Sequence, residues 1–349
     1  GCYNTAIGHS ALETNTTASN NVAVGYTALS ANTTGHSNVA VGHSALTANT
    51  TANYNVAVGK GVMAATTTGN TNTAMGQTSL TANTTGSNNT AFGASSLEGN
   101  ISGANNNAFG NSALISNTTG TCNVAIGQSA LGANTTASNN VAVGALALND
   151  NTVGFENTGL GNQAGDEITT GDQNTAVGSN SLGKVTTGDC NTGLGRAAGD
   201  LTTTGSNNIS VGWGSDPTAN DASNQITLGN SANDNLRCAD TSISTLSDER
   251  DKENIENIPH GLDYILAIRP VKFDWKTRDG SREGKKDYGF IAQELAKVEE
   301  KFESAEYTRL VHKENPNKLE ADPMKTYPIL IKAIQELSER IEELEKENN

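Results

Sequence analysis

Aromatic residues are scarce, 4% of 349 residues, and large apolar side chains are thin through the first two thirds, where Gly, Asn, Thr and Ser dominate. An ordinary compact core needs more than this. Charge is also missing there: up to Leu97 the only charged side chains are Glu13 and Lys60. Nothing forms a basic stripe and the net charge is −15, which argues against nucleic-acid partners. No apolar run reaches the ~18 residues of a membrane helix, so no membrane insertion is expected. The four cysteines, Cys2, Cys122, Cys190 and Cys238, lack CxxC or CxxH spacing, so neither a zinc site nor any other metal or cofactor is expected.

What is present is a period. Glycine recurs at Gly8, Gly25, Gly42 and onward to Gly229, a step of 17 residues held without slip through fourteen copies. Four residues before each sits Asn, with Gln225 the exception, and the residue just before is always apolar. Leu or Met follows four residues later in most copies, as at Leu12, Leu29 and Met63. Disorder does not keep such register. Within a copy, Val22-Ala23-Val24 favours a strand that Gly25 closes, and the "NTTG" cluster that follows is a turn.

A three-residue strand buries nothing alone, but stacked copies pair at ~4.8 Å and bury a common interior. Fourteen coils make a rod of roughly 65 Å. The small residue two before each glycine (Ala6, Ala23, Ala40) suits a narrow interior or close contact with a neighbouring chain. The repeated Asn predicts a side-chain ladder or Asx turn at each corner. Cys122 and Cys190 share a repeat position four coils apart, roughly 19 Å along the axis, which is beyond the ~7 Å a disulfide within one chain allows.

The fold class predicted is therefore mainly β: a parallel β-solenoid over residues 1–230, a junction over 231–246, a small α+β domain over 247–326 and a helix over 327–349. The "N-x-A-h-G" phrase, h being apolar, resembles the β-roll heads of trimeric autotransporter adhesins, and resembles more closely the repeat stems of phage tail fibres. The resemblance implies three parallel chains in a fibre.

Two other features of the repeat have a plainer reading. The "NTT" triplets at Asn15, Asn32, Asn49 and Asn83 match the N-glycosylation acceptor pattern, yet recur where turn chemistry is needed. Threonine density raises an ice-binding or glycan-binding solenoid as an alternative. A flat threonine face wants Thr-x-Thr, whereas here the pairs are adjacent, as in Thr33-Thr34.

From Ser247 onward the chain changes character, with 18 Lys/Arg and 24 Asp/Glu in 103 residues. "SDERDKENI" alone reads as a helix start, with Ser247 as N-cap and Asp248 and Glu249 in the first turn. "IENIPHGLDYILAIRPVKFDW", "DYGFIAQEL" and "YPILIKAIQELSERIEELE" follow in order. Within them Pro270 ends an apolar helix, Val271, Phe273 and Trp275 share a strand face, and a helix opens after Gly289. Gln293 and Glu294 offer a catalytic carboxamide and acid, but read better as interchain contacts. Tyr327, Leu330, Ile334, Leu337, Ile341 and Leu344 form an a/d seam.

This ordered series resembles the intramolecular chaperone of phage tail fibres, tailspikes and endosialidases, the S74 peptidases. The resemblance implies a Ser-Lys dyad in an "S-D-x-R-x-K" pattern, matched by Ser247 and Lys252, that cuts its own chain once. It implies cleavage beside Ser247, at Leu246–Ser247 or Ser247–Asp248, and positioning roles for Arg250 and Asn254. It also implies a homotrimer, although Ile at a with Leu at d is the pairing of two-stranded coils.

The function expected is that of a C-terminal piece of a phage tail fibre, assembled in the host cytoplasm and carried on the virion. It would meet a host cell-surface receptor, a glycan among the candidates. The alternative is the stem of a trimeric bacterial adhesin, which would want a C-terminal membrane barrel. A depolymerase would want carboxylates on one face, and the acidic residues of the repeats sit at scattered repeat positions.

Overall fold

The 17-residue period becomes one coil. In a computed structural model that describes residues 1–233, 236–237, 247–277, 282–313, 315 and 319–348, fourteen three-residue strands run from β1 (Thr5–Ile7) to β14 (Ile226–Leu228). They stack in chain order as one parallel sheet, each residue opposite its counterpart one copy on, as Ala23 is opposite Ala40. The chain divides into two units, Gly1–Asn230 and Ser231–Asn349.

Alternation along the strand settles which apolar residues lie inside the first unit. The central alanine (Ala23, Ala40, Ala57, Ala74) is fully buried, so its neighbours on either side point outward. The interior is completed by the Leu or Met four residues after the glycine: Leu29, Leu46, Met63, Leu80 and Leu97 are all fully buried. These residues hold left-handed backbone, φ 50 at Leu29 and φ 51 at Leu97, a conformation costing about 1–2 kcal/mol in an L-residue. Complete burial of the side chain, worth about 1.5–3 kcal/mol, offsets it.

The glycine that closes each strand is required twice over. At Gly110 φ is +141, and a Cβ there would lie 2.4 Å from the Gly127 carbonyl oxygen of the next coil. No side chain fits that approach.

Two asparagine ladders, not one, run along the axis. In the first, the Asn38 backbone N–H donates to Asn21 Oδ1 at 2.9 Å, and its Nδ2 donates to the Ala52 carbonyl at 2.8 Å. The same bonds recur down to Gln225, whose N–H donates to Asn208 Oδ1 at 3.0 Å. The second ladder is built from the asparagines of the "NTT" triplets and their counterparts Asn100 and Asn151 at the same repeat position. Asn49 Nδ2 donates to Asn32 Oδ1, and Asn117 Nδ2 to Asn100 Oδ1, each at 2.8 Å. Asn15 is half-buried, and Asn32, Asn49 and Asn83 are fully buried. Asn32, Asn49 and Asn83 are interior rungs and offer no glycan acceptor on the folded surface.

The second ladder also explains two buried oxygens without partners, Asn49 Oδ1 and Asn151 Oδ1. The next coil up carries Thr66 after Asn49 and Ile168 after Asn151, so no amide arrives to donate. Ile168 has its own reason. Its coil has Gly165 in place of the interior leucine, and Ile168 Cδ1 lies 2.9 Å from where a Cβ on Gly165 would be. The isoleucine fills the space the missing leucine leaves.

In the second unit a 3-10 turn, Glu249–Asp251, precedes α1 (Leu262–Ala267), and the hairpin β15 (Val271–Asp274) with β16 (Lys286–Gly289) follows. Then come α2 (Ala292–Lys301), α3 (Ala305–Thr308), the pair β17 (Val311–His312) and β18 (Glu320–Ala321), and α4 (Tyr327–Glu347). Tyr264, Leu295, Val298, Leu310, Val311 and Ile329 form its core.

The start of α1 is capped from a distance. The Leu262 N–H donates to Glu336 Oε2 of α4 at 2.7 Å, and Gly261 leaves room for that carboxylate. α4 buries Ile329 and Ala333, while Ile334, Leu337, Ile341 and Leu344 of the expected seam remain exposed.

Candidate active site

The segment matching "S-D-x-R-x-K" folds back on itself. Ser247 does not cap the turn as the sequence predicted. Asp248 does, with extended backbone (φ −70, ψ 135) and Oδ1 accepting the Arg250 N–H at 2.9 Å. The shift by one residue has a physical reason: a carboxylate meets both the turn's free amide and the Arg250 guanidinium. Arg250 Nε donates to Asp248 Oδ1 at 3.0 Å and Nη2 to Oδ2 at 2.6 Å. The guanidinium's hydrogen bonds, then that of the Arg250 amide, hold the Asp248 carboxyl below its ordinary range.

With its hydroxyl free of capping, Ser247 meets Lys252 instead. Lys252 Nζ donates to Ser247 Oγ at 2.7 Å and reaches the Ser247 carbonyl oxygen at 3.4 Å. Both residues are exposed in the single chain. Leu246, on the other side of the expected cut, lies outside the described residues, as does Cys238. Asn254 is exposed two residues beyond Lys252, with left-handed backbone at φ 54. Glu249 is the first residue of the turn, and its carbonyl accepts the Lys252 N–H at 3.1 Å.

Glu294 has a partner within its own chain. Arg269 Nε donates to Glu294 Oε2 at 2.9 Å, and Arg269 Nη2 meets the other carboxylate oxygen. That fork holds the Glu294 carboxyl below its usual range. Gln293 and Glu294 both lie in the first turn of α2, which begins at Ala292, three residues after Gly289.

The segment that holds this arrangement has known relatives. Residues 247–305 match the family described as chaperone of endosialidase, the S74 peptidases. The second unit carries an S74 chaperone domain. The family is one of self-cleaving chaperone domains, and a β-solenoid followed by such a domain fits a tail-fibre or endosialidase-like protein. No curated protein matches the chain.

The rod shows where other chemistries would have to act. The first threonine of each pair ties coils together: Thr33 Oγ1 donates to the Thr50 carbonyl at 3.0 Å and Thr16 Oγ1 to that of Thr33 at 3.1 Å. No strand of the sheet reads Thr-x-Thr. The acidic residues are less scattered in space than in repeat position. Asp166 feels Glu167 and Asp150, and Lys184 feels Asp216 and Glu167 while pairing with Asp200 at 2.9 Å. Burial, reinforced by those like charges, pushes the Asp166 carboxyl up. Among the described residues no group of three His, Cys, Asp or Glu is placed to hold a metal, and no helix is long and apolar enough to cross a membrane.

Proposed function

We propose that this chain belongs to a phage tail fibre that forms a homotrimer. Its second unit aligns three chains and then leaves by self-cleavage beside Ser247. The observation that carries the chemistry is the 2.7 Å contact between Lys252 Nζ and Ser247 Oγ inside the matched segment. In the reaction, Ser247 Oγ bonds to a backbone carbonyl carbon and the C–N bond breaks. The hydroxyl proton passes through the Lys252 amine to the departing nitrogen. Water then hydrolyses the ester, leaving a carboxylate and restoring the serine. Attack on the Leu246 carbonyl closes a five-membered ring. Attack by Ser247 on its own carbonyl would need a four-membered one, so a cut after Ser247 takes a serine from a neighbouring chain.

A lysine acts as a base only where burial or nearby cations favour the neutral amine. Exposed in a single chain, this pair has its geometry without that environment. Assembly supplies the burial, so cleavage follows correct alignment.

Two exposed apolar surfaces support self-association. Along the rod the residue before each corner glycine faces outward, with Ile126 42%, Val143 36% and Leu194 49% exposed. In α4 the seam at Ile334, Leu337, Ile341 and Leu344 is likewise open. Contiguous apolar surface of this length marks an interface. The rod gives the chaperone its task, because coils of near-identical sequence can slip by one whole coil between chains at small local cost. A unique segment aligned first removes that choice, and its later removal leaves the rod kinetically hard to unfold. Receptor binding on the virion is the role we assign to the assembled fibre.

A denaturing gel of the full chain under assembling conditions, with wild type, Ser247→Ala and Lys252→Ala, tests this. The released C-terminal fragment is expected from wild type alone. Full-length protein in all three lanes, or fragment in all three, would refute it.

A further inference from the structure

The contact between Ser247 and Lys252 has to be built over only five residues. Extended chain would carry their Cα atoms roughly 17 Å apart, far beyond the reach of a lysine side chain. The backbone must turn. It does so in a single 3-10 turn, with the Asp251 N–H donating to the Asp248 carbonyl at 3.2 Å and the Lys252 N–H to that of Glu249 at 3.1 Å. One such turn is marginal by itself, because it orders several residues for two backbone bonds. Burial does not rescue it, since every residue from Ser247 to Pro259 is exposed.

Among the described residues, what remains to hold the turn is one side-chain pair. Asp248 Oδ1 takes the turn's free amide at Arg250, and both carboxylate oxygens are gripped by the fork of the same residue's guanidinium. An exposed ion pair between two separate surface elements contributes little. This pair is different in kind, because its two members sit within the turn, one at its cap and one at its centre. The fork fixes the cap rotamer, the cap fixes the turn, and the turn returns Lys252 to Ser247.

We propose that Asp248 is a positioning residue for the self-cleavage, and that Arg250 acts through its clasp on Asp248. Their clasp sets the distance between Ser247 Oγ and Lys252 Nζ locally, in each chain, before assembly supplies burial. The inference rests on the Ser247–Lys252 reading above and adds a division of labour: geometry comes from six consecutive residues, and environment comes from the assembled protein. The cap hydrogen bond is the primary element and the ion pair reinforces it, which ranks the variants. Asp248→Asn keeps an oxygen for the amide and loses the charge. Asp248→Ala loses both. Arg250→Lys keeps the charge without the fork, and Arg250→Ala leaves the cap unsupported.

The test measures the first-order rate of fragment release from the full chain, scored per assembled oligomer so that lower assembly yield does not count as slow cleavage. Asp248→Ala is expected to slow release by about 100-fold, the cost of losing a held near-attack geometry. Asp248→Asn should restore the rate to within about 10-fold of wild type, and Arg250→Ala should be slower than Arg250→Lys. Assembled Asp248→Ala that cleaves at the wild-type rate overturns the proposal, as does Asp248→Asn as slow as Asp248→Ala. Where Asp248→Ala does not assemble, Arg250→Ala decides, and wild-type speed in that variant overturns the clasp. Ser247→Ala, run alongside, separates the two readings. Uncleaved Ser247→Ala with fast Asp248→Ala sinks the clasp alone, and cleaved Ser247→Ala sinks the dyad and the clasp together.

Discussion

Replacing Asn117 by Ala tests whether the buried asparagine ladder holds the coils together. Asn117 is fully buried, and its Nδ2 donates to Asn100 Oδ1 at 2.8 Å and to the Gly120 carbonyl at 3.1 Å. Its Oδ1 accepts from Asn134 Nδ2 at 2.8 Å. Alanine would strand Asn100 Oδ1 and one N–H of the Asn134 amide at about 1–3 kcal/mol each, while the Gly120 carbonyl keeps the Asn106 amide at 2.8 Å. Shared relaxation trims the total to about 2–4 kcal/mol per chain. Asn151 supplies an internal control, because its Oδ1 already lacks a donor while its Nδ2 reaches Gly154 and Asn134 at 2.9 and 3.2 Å. Asn151→Ala strands one group fewer and removes an existing orphan, so it should cost less by about 1–3 kcal/mol. Guanidinium unfolding of the two full-length variants, followed by far-ultraviolet circular dichroism, reads the difference. Asn117→Ala within 0.5 kcal/mol of wild type, or an order in which Asn151→Ala is the worse, would refute the ladder as a source of stability.

Three further outcomes follow from the same geometry. Gly110→Ala would drive a Cβ to 2.4 Å from the Gly127 carbonyl oxygen at φ +141, so a loss of more than about 2 kcal/mol per chain is expected in the same unfolding assay. Glu336→Ala removes the acceptor of the Leu262 N–H and should lower the melting transition of the second unit by about 1–2 kcal/mol, with Glu336→Gln recovering most of it. Asp166 has a raised carboxyl, so its stabilising contribution is present below the ordinary carboxylate value of ~3.9 and is lost as pH rises through the raised one. Asp166→Asn should therefore raise the rod's melting temperature at neutral pH and show no advantage near pH 3; an equal gain at both would contradict the assignment.

The coil itself was legible in the sequence because a strict period leaves no other reading of such a composition. Ala23 declared the narrow interior, and the corner glycines declared a backbone no side chain can join. The direction of the larger residues was harder to see. Val24 looks like core by chemistry, yet it neighbours the buried Ala23 on a three-residue strand and must face out. The "NTT" asparagines look like surface turn residues, and only the stacking of coils shows that Asn32 lies under its neighbours with its amide spent on Gly35 at 2.9 Å.

At the candidate site, the five-residue separation of Ser247 and Lys252 was readable, but the identity of the cap was not. Ser and Asp are near-equal cap residues, and the choice falls to Asp248 because Arg250 lies within the same turn. The intrachain partner of Glu294 was not readable for a related reason. Arg269 is 25 residues away, so nothing local announces the pair.

The central claim is an order of events: alignment first, cutting second. Native mass spectrometry of wild-type full chain, sampled through an assembly time course, measures it directly. The account predicts uncleaved monomer, then uncleaved trimer, then cleaved trimer, with no cleaved monomer at any time. Cleaved monomer appearing before or without trimer would contradict it, because the Ser247–Lys252 pair would then be cutting without the environment that assembly is proposed to supply.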